Sequence, residues 1–315
     1  MPDGRGFFGL ARKKRKTSFV KSSIDAIQAE KYPFRRRFIV VNMGSEKPPT
    51  MIYEVKEQME TQYFREYSPT LDREMEYKVY GHAGRPVIFI PCQDGRFYDF
   101  ENFQMASVWS PWINAGRAMV LAVDTLDKET WSNKRGDPYW RIRRHEQWYE
   151  YVVGEMVPFL NDLACRRNGW DPKADHPGII PFGCSLGATH AANFYFRRPD
   201  LFDGLLALSG VYTADYGFDG YMDEVVYRNS PVHYMANLPT DHPYIKLFNR
   251  QRAAICVGQG NWEMPETTFA MRDILQSKGI NTWVDFWGYD CTHDWPWWYM
   301  QVTYFVPWLL GGEPG

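Results

Sequence analysis

At 315 residues, with a hydrophobic fraction of 44% and an aromatic fraction of 17%, the chain is long and apolar enough for one large α/β domain or two small ones, which excludes disorder over most of its length. Its net charge of -2 hides a division: residues 1–50 carry 12 Lys/Arg against 4 Asp/Glu, and the remainder carries 24 against 34. A body this acidic lacks the clustered cations that a phosphate backbone selects for, so nucleic acid is not an expected partner.

In chain order, residues 1–50 come first, with the run Arg12-Lys13-Lys14-Arg15-Lys16, a second cluster at Arg35 to Arg37 and little periodicity. They predict a flexible basic extension ahead of a domain over residues 51–315. Such a run can bind nucleic acid or a membrane surface, but a solvated tail, or a start placed too far upstream with Met43 or Met51 as alternatives, is the simpler account. The Phe7-Phe8-Gly9-Leu10 patch is too short for the apolar region of a secretory signal. No uncharged apolar stretch reaches the length of about 18 residues that spans a bilayer. Cys92, Cys165, Cys184, Cys256 and Cys291 are odd in number and lack disulfide-framework or zinc-site spacing. A reduced, cytoplasmic setting is expected, with no metal and no cofactor.

Beyond Met51, short β-rich runs alternate with longer helical ones, the pattern of a mainly parallel, doubly wound α/β sheet with helices on both faces. Strands are predicted at Glu74-Tyr80, Pro86-Pro91, Arg117-Val123, Gly178-Phe182, Gly204-Leu208, Ala253-Val257 and Thr282-Trp287. The run Val87-Ile88-Phe89-Ile90 is continuously apolar, as a strand buried on both faces should be. Val152, Met156, Leu160 and Leu163 recur at helical spacing and predict one helix from about Trp140 to Cys165. Further helices are expected over Leu186-Phe196, Glu266-Lys278 and Trp297-Leu309.

Gly183-Cys184-Ser185-Leu186-Gly187 fits G-x-S-x-G, and its setting between an apolar strand and the helical Ala188-Thr189-His190-Ala191-Ala192-Asn193-Phe194 marks a nucleophile elbow. A sharp strand-to-helix turn needs small residues on either side of the serine and leaves its hydroxyl at a helix N-terminus. A serine hydroxyl needs a base, which in this arrangement follows it in the chain. His190 is expected to pack on the elbow helix, and His233 and His242 fall in a Pro-rich connection. His293 follows the last strand and enters the terminal helix, the position expected of the base. The acid should come just past the preceding strand, where Glu263 is the first choice and Glu266 the alternative. Glu266 is placed better to complement a helix dipole. Two amides must receive the oxyanion: Leu186 N–H, and one from Pro91-Cys92-Gln93-Asp94-Gly95-Arg96, with Arg96 the leading candidate and Gln93 or Gly95 the alternatives. Cys92, Cys184 and Cys291 neighbour these elements, but small buried residues are a simpler reading than a thiolate metal site. Trp295, Pro296, Trp297 and Trp298 are expected to wall the site.

These residues resemble the group of α/β-hydrolases that includes S-formylglutathione hydrolase (esterase D), feruloyl and acetylxylan esterases, and the bacterial mycolyltransferases. The likeness runs from about Tyr67 to Leu310. It rests on Gly183 to Ala188, His190 to Phe194, Arg198-Pro199-Asp200-Leu201-Phe202, Ala207-Leu208-Ser209-Gly210 and Thr292-His293-Asp294-Trp295-Pro296-Trp297-Trp298. The resemblance implies the nucleophile at Ser185, the base at His293, the acid at Glu263 within Gly258-Gln259-Gly260-Asn261-Trp262-Glu263, and an oxyanion amide at Arg96. It covers none of residues 1–50. The expected activity is therefore hydrolysis of a small-molecule carboxylic ester through an acyl-enzyme. An acyltransferase with the same triad, or a silent hydrolase-fold binding protein, stands as the alternative, and homo-oligomerisation is left open. Loops at Thr213 to Pro231 and Trp131 to Trp140 would shape the pocket.

Overall fold

The computed structural model describes residues 59–174 and 176–313; the basic extension predicted over residues 1–50 lies outside them. Eight strands are present: β1 Thr61–Ser68, β2 Arg73–Tyr80, β3 Arg85–Ile90, β4 Ala118–Val123, β5 Ile180–Cys184, β6 Gly204–Leu208, β7 Arg252–Val257 and β8 Trp283–Phe286. They form one sheet in the order β1-β2-β4-β3-β5-β6-β7-β8. β1 pairs with β2, and β2 with β4, antiparallel; all later neighbours are parallel. The principal helices are α1 Met105–Asn114, α2 Pro138–Tyr151, α3 Val157–Asn168, α4 Leu186–Arg197, α5 Glu266–Ser277 and α6 Trp295–Leu309.

Two-fold alternation along the buried strands sends neighbouring side chains to opposite faces. On one face Ile88, Ile90, Leu205, Ala207 and Ile255 pack with α2, α3, α4 and α5 through Trp148, Leu160, Phe194 and Met271. On the other, Val87, Phe89, Phe182, Leu206 and Cys256 pack with α1 and α6 through Trp109, Ile113, Val302 and Phe305. Helices thus cover both faces, which is why these strands carry no polar side. A side chain such as Phe89, wholly withdrawn from water, stabilises the fold by about 1.5–3 kcal/mol before entropy is counted.

Three elements differ from expectation. The single helix over 140–165 is two helices joined by a π-helical turn at Val152–Met156. Pro158, in the first turn of α3, has no N–H to give, so the ladder is interrupted there. The turn presents Glu155 Oε1 to Ser68 Oγ (2.8 Å) and to the Thr70 amide (3.1 Å), which anchors the β1–β2 connection. β1 was not predicted because it is an edge strand with almost no buried residues and therefore no alternation to read. α1 lies outside the expected helices: Pro111 stands within it, although Met105, Trp109 and Ile113 recur every four residues and are all buried.

Among the described residues, no helix is long and apolar enough to cross a membrane.

Candidate active site

The parallel strands point their C-terminal ends to one edge of the sheet, and that edge is where open α/β sheets place their ligand crevices. Ser185 follows β5, Ser209 follows β6, Glu263 follows β7, His293 follows β8 and Gln93 follows β3. They are brought together because each is the first or an early residue of the loop its strand delivers.

At the elbow, Ser185 sits at φ 56° and ψ -128°, outside the ordinary regions for a residue with a Cβ. The turn is so tight that a Cβ on Gly183 would lie 2.3 Å from the Gly187 carbonyl carbon, and one on Gly187 would lie 2.2 Å from the Ile90 carbonyl oxygen. Both flanking glycines are therefore needed by contact, one against the helix and one against β3. The Ser185 amide is held by Leu208 O at 2.9 Å. Its hydroxyl stands at the N-terminus of α4, where unpaired amides and the helix dipole favour developing negative charge.

The His293 Nε2 is 2.9 Å from Ser185 Oγ, and its Nδ1 is 3.0 Å from Glu263 Oε2. These residues are 108 and 30 positions apart in sequence. An ionised Glu263 can only accept, so Nδ1 carries the proton and Nε2 is left to accept from the serine hydroxyl. The second Glu263 oxygen accepts from Ser209 Oγ at 2.7 Å and from the Gly258 amide at 3.1 Å. Ser209 in turn accepts from Trp298 Nε1 at 3.0 Å. The Glu263 side chain is thus buried, 1% exposed, and every hydrogen bond it receives holds one rotamer. The Trp298 ring stands edge-on to the imidazole, with centroids 5.0 Å apart.

The loops bearing the carboxylate and the imidazole are joined by backbone bonds, Gly260 N to Cys291 O at 2.8 Å and His293 N to Asn261 O at 3.1 Å. Gly258 and Gly260 permit this approach, since a Cβ on either would fall within 2.6 Å of Cys291 O. Glu266, the alternative acid, begins α5 after Pro265, while Glu263 holds the histidine. Ser209 carries no motif of its own. Its signal in the sequence is the segment Ala207-Leu208-Ser209-Gly210, one piece of the resemblance, where a small polar residue directly follows the apolar strand Gly204-Leu208.

The expectation for Arg96 needs correction. Its amide donates to Asp99 Oδ2 at 3.0 Å, and its guanidinium binds Asp124 and Glu76, so it is occupied in holding the loop. The Gly95 amide is likewise taken up by Cys92 O at 2.9 Å. Gln93, the other candidate, lines the cavity beside Ser185, and its amide has no protein acceptor among the described residues. A carboxylate three residues beyond Arg96 captured the amide that the Asp-Gly turn was expected to aim inward.

His190 is buried and bonded through Nε2 to Asp127 at 3.0 Å. His233 bonds Ser230, and His242 accepts from the Tyr244 amide. None of the three reaches the cavity lining. That lining is Gln93, Ser185, Leu186, Thr189, Ser209, Val211, Tyr216, Trp262, Met264 and His293, around a volume of about 180 Å³. The Tyr216 segment is fastened by buried Arg141, which donates to the carbonyls of Thr130 (2.7 Å), Trp131 (3.0 Å) and Gly217 (2.7 Å). The loops expected to shape the pocket are therefore tied to each other.

The three cysteines near the elbow do not enter the lining, and among the described residues no three or more His, Cys, Asp or Glu side chains are grouped as metal ligands. Burial, then Asp99 and Asp127, pushes the Cys92 thiol up to about 12; burial, then Glu263 and Asp290, does the same to Cys291. Burial also raises Cys184 and Cys256 well above the usual thiol range. Only the thiolate alkylates, and at about pH 8 roughly one such thiol in 10⁴ is ionised. Iodoacetamide at that pH is expected to leave turnover of p-nitrophenyl acetate intact; inactivation in step with alkylation of Cys92 or Cys291, followed by mass spectrometry, would contradict this.

The sheet order, the elbow after β5 and the helices on both faces define the α/β-hydrolase fold. No protein-family model matches the chain, and no curated protein matches it. Solved structures do. A ferulic acid esterase superposes with a TM-score of 0.60 at 17% identity, covering 80% of this chain and 98% of its own. S-formylglutathione hydrolase from Staphylococcus aureus gives 0.58 at 13%, covering 81% and 97%. The Mycobacterium tuberculosis protein MPT51 gives 0.53 at 14%, covering 79% and 98%. Identities this low establish the shared fold, the one the sequence resemblance pointed to.

Proposed function

We propose that the chain is a serine hydrolase that cleaves a small carboxylic ester through an acyl-enzyme, its catalytic domain occupying residues 51–315 and the basic residues 1–50 standing ahead of it. The observation that carries this reading is the unbroken hydrogen-bond chain from Ser185 Oγ through His293 to Glu263, with separations of 2.9 and 3.0 Å. In the first half-reaction His293 Nε2 takes the hydroxyl proton as Ser185 Oγ bonds to the ester carbonyl carbon. Glu263 stabilises the imidazolium that results. The carbonyl oxygen, now anionic, is received by the amides of Leu186 and Gln93, the first backed by the α4 dipole. Collapse expels the alkoxide, which takes the proton from His293, and leaves Ser185 acylated. Water, deprotonated by the same nitrogen, then attacks the acyl carbon; the bond to Ser185 Oγ breaks, His293 returns the proton to that oxygen, and the carboxylic acid leaves.

A fluorophosphonate probe tests the reading directly, because it reacts with an activated serine and not with an idle one. Incubated with the native protein, it is expected to add one phosphonyl group, found by peptide mass spectrometry on Ser185. Recovery of that peptide unmodified, with the protein folded, would refute the proposal.

A further inference from the structure

Among the described residues, none that lines the cavity at Ser185 is Lys, Arg, Asp or Glu. Cations do stand on the bordering loops, Arg135 and Arg228 among them, but none belongs to the lining. Arg96 is held by Asp124 and Glu76, and Lys134, which reaches the Tyr216 carbonyl, by Asp219. Negative charge is plentiful by contrast: Glu263 lies behind the imidazole, and residues 51–315 carry ten more acidic than basic side chains. A carboxylate entering here would lose water with no Lys or Arg in the lining to pair with it, since the imidazolium that His293 becomes during acylation is already matched by Glu263.

At the mouth, apolar groups are held out in water. Trp262 is 88% exposed, the adjoining Met264 43% and Tyr216 45%, and all three belong to the lining. Trp262 also sits at φ 69°, a left-handed backbone that a bulky residue rarely adopts. It occupies that conformation between Asn261, whose carbonyl holds the His293 amide, and Glu263. The left-handed backbone and the exposure place Trp262 in the wall of the cavity that Ser185 also lines.

We infer that this site takes small uncharged acyl esters, laying their apolar part against Trp262 and Met264, and discriminates against anionic acyl donors. The inference rests on Ser185 being the nucleophile.

Its test compares three p-nitrophenyl esters on the full-length protein: butyrate, the methyl ester of succinate, and hemisuccinate. The first two differ in length and polarity, and the last two chiefly in charge. The expected result is a kcat/KM for hemisuccinate about 100-fold below that for its methyl ester, the consequence of an unpaired carboxylate in the cavity. Met264→Lys is expected to narrow that gap about tenfold by supplying the missing counter-charge. Trp262→Ala is expected to raise KM for butyrate severalfold more than it lowers kcat. Equal kcat/KM for hemisuccinate and its methyl ester, or a preference for the anion, overturns the inference while leaving the serine mechanism standing. Failure to turn over any of the three, with no phosphonyl adduct at Ser185, sinks the hydrolase reading and this inference with it.

Discussion

Ser185→Ala is expected to lower kcat on p-nitrophenyl acetate and butyrate by about 10⁴- to 10⁶-fold, the range found when a triad nucleophile is removed. Without Oγ no acyl-enzyme forms, and His293 is left with water as the only nucleophile it can activate. On the proposed mechanism the Leu186 and Gln93 amides would still receive the oxyanion, so a residual rate above the uncatalysed one is expected. KM should change little, because the cavity wall of Tyr216, Trp262 and Met264 is untouched. Stability should also be nearly unaltered. The left-handed conformation at residue 185 is imposed by the contacts of Gly183 with Gly187 and of Gly187 with β3, and alanine inherits the same conformation. Thermal unfolding of the two proteins side by side would show this, and kcat within tenfold of the parent would remove Ser185 from the mechanism.

The parts of this fold that the sequence disclosed are those where one physical demand acts alone. β3 and β6 are buried on both faces, and their continuous apolar runs say so. The elbow requires two positions without a Cβ at fixed distances from a serine, and only glycine meets that. Where two demands compete, the reading failed. β1 is an exposed edge with no pattern to impose. The long amphipathic helix keeps its apolar period through 152–163, yet Pro158 breaks its hydrogen-bond ladder into a π-turn that periodicity cannot register. In the loop after β3 the Asp94-Gly95 turn was legible, but which amide it frees depends on Asp99 capturing the Arg96 amide. Ser209 was invisible as a participant for a related reason: its partners Glu263 and Trp298 lie 54 and 89 residues away and meet it only across strand ends.

That buried arrangement makes Glu263→Gln the more informative of the remaining substitutions, with an expected fall in kcat of about 10⁴-fold and little change in KM. The amide is nearly the same size as the carboxylate, so packing is preserved. Its orientation is dictated: the Ser209 hydroxyl and the Gly258 amide both donate to the Oε1 position, so the glutamine oxygen must sit there and its NH₂ must face His293 Nδ1. Two donors cannot face each other, so Nδ1 gives up its proton and the imidazole takes the other tautomer. Nε2 then carries hydrogen toward Ser185 Oγ, and the atom that should accept the hydroxyl proton no longer can. Glu266→Gln, by contrast, is expected to leave kcat unchanged, since that side chain begins α5 and has no bond to the imidazole. The two variants assayed together separate a carboxylate that orients the base from one that only complements a helix. Equal activity in both, at the level of the parent, would mean that Glu263 does not hold the histidine in its working tautomer.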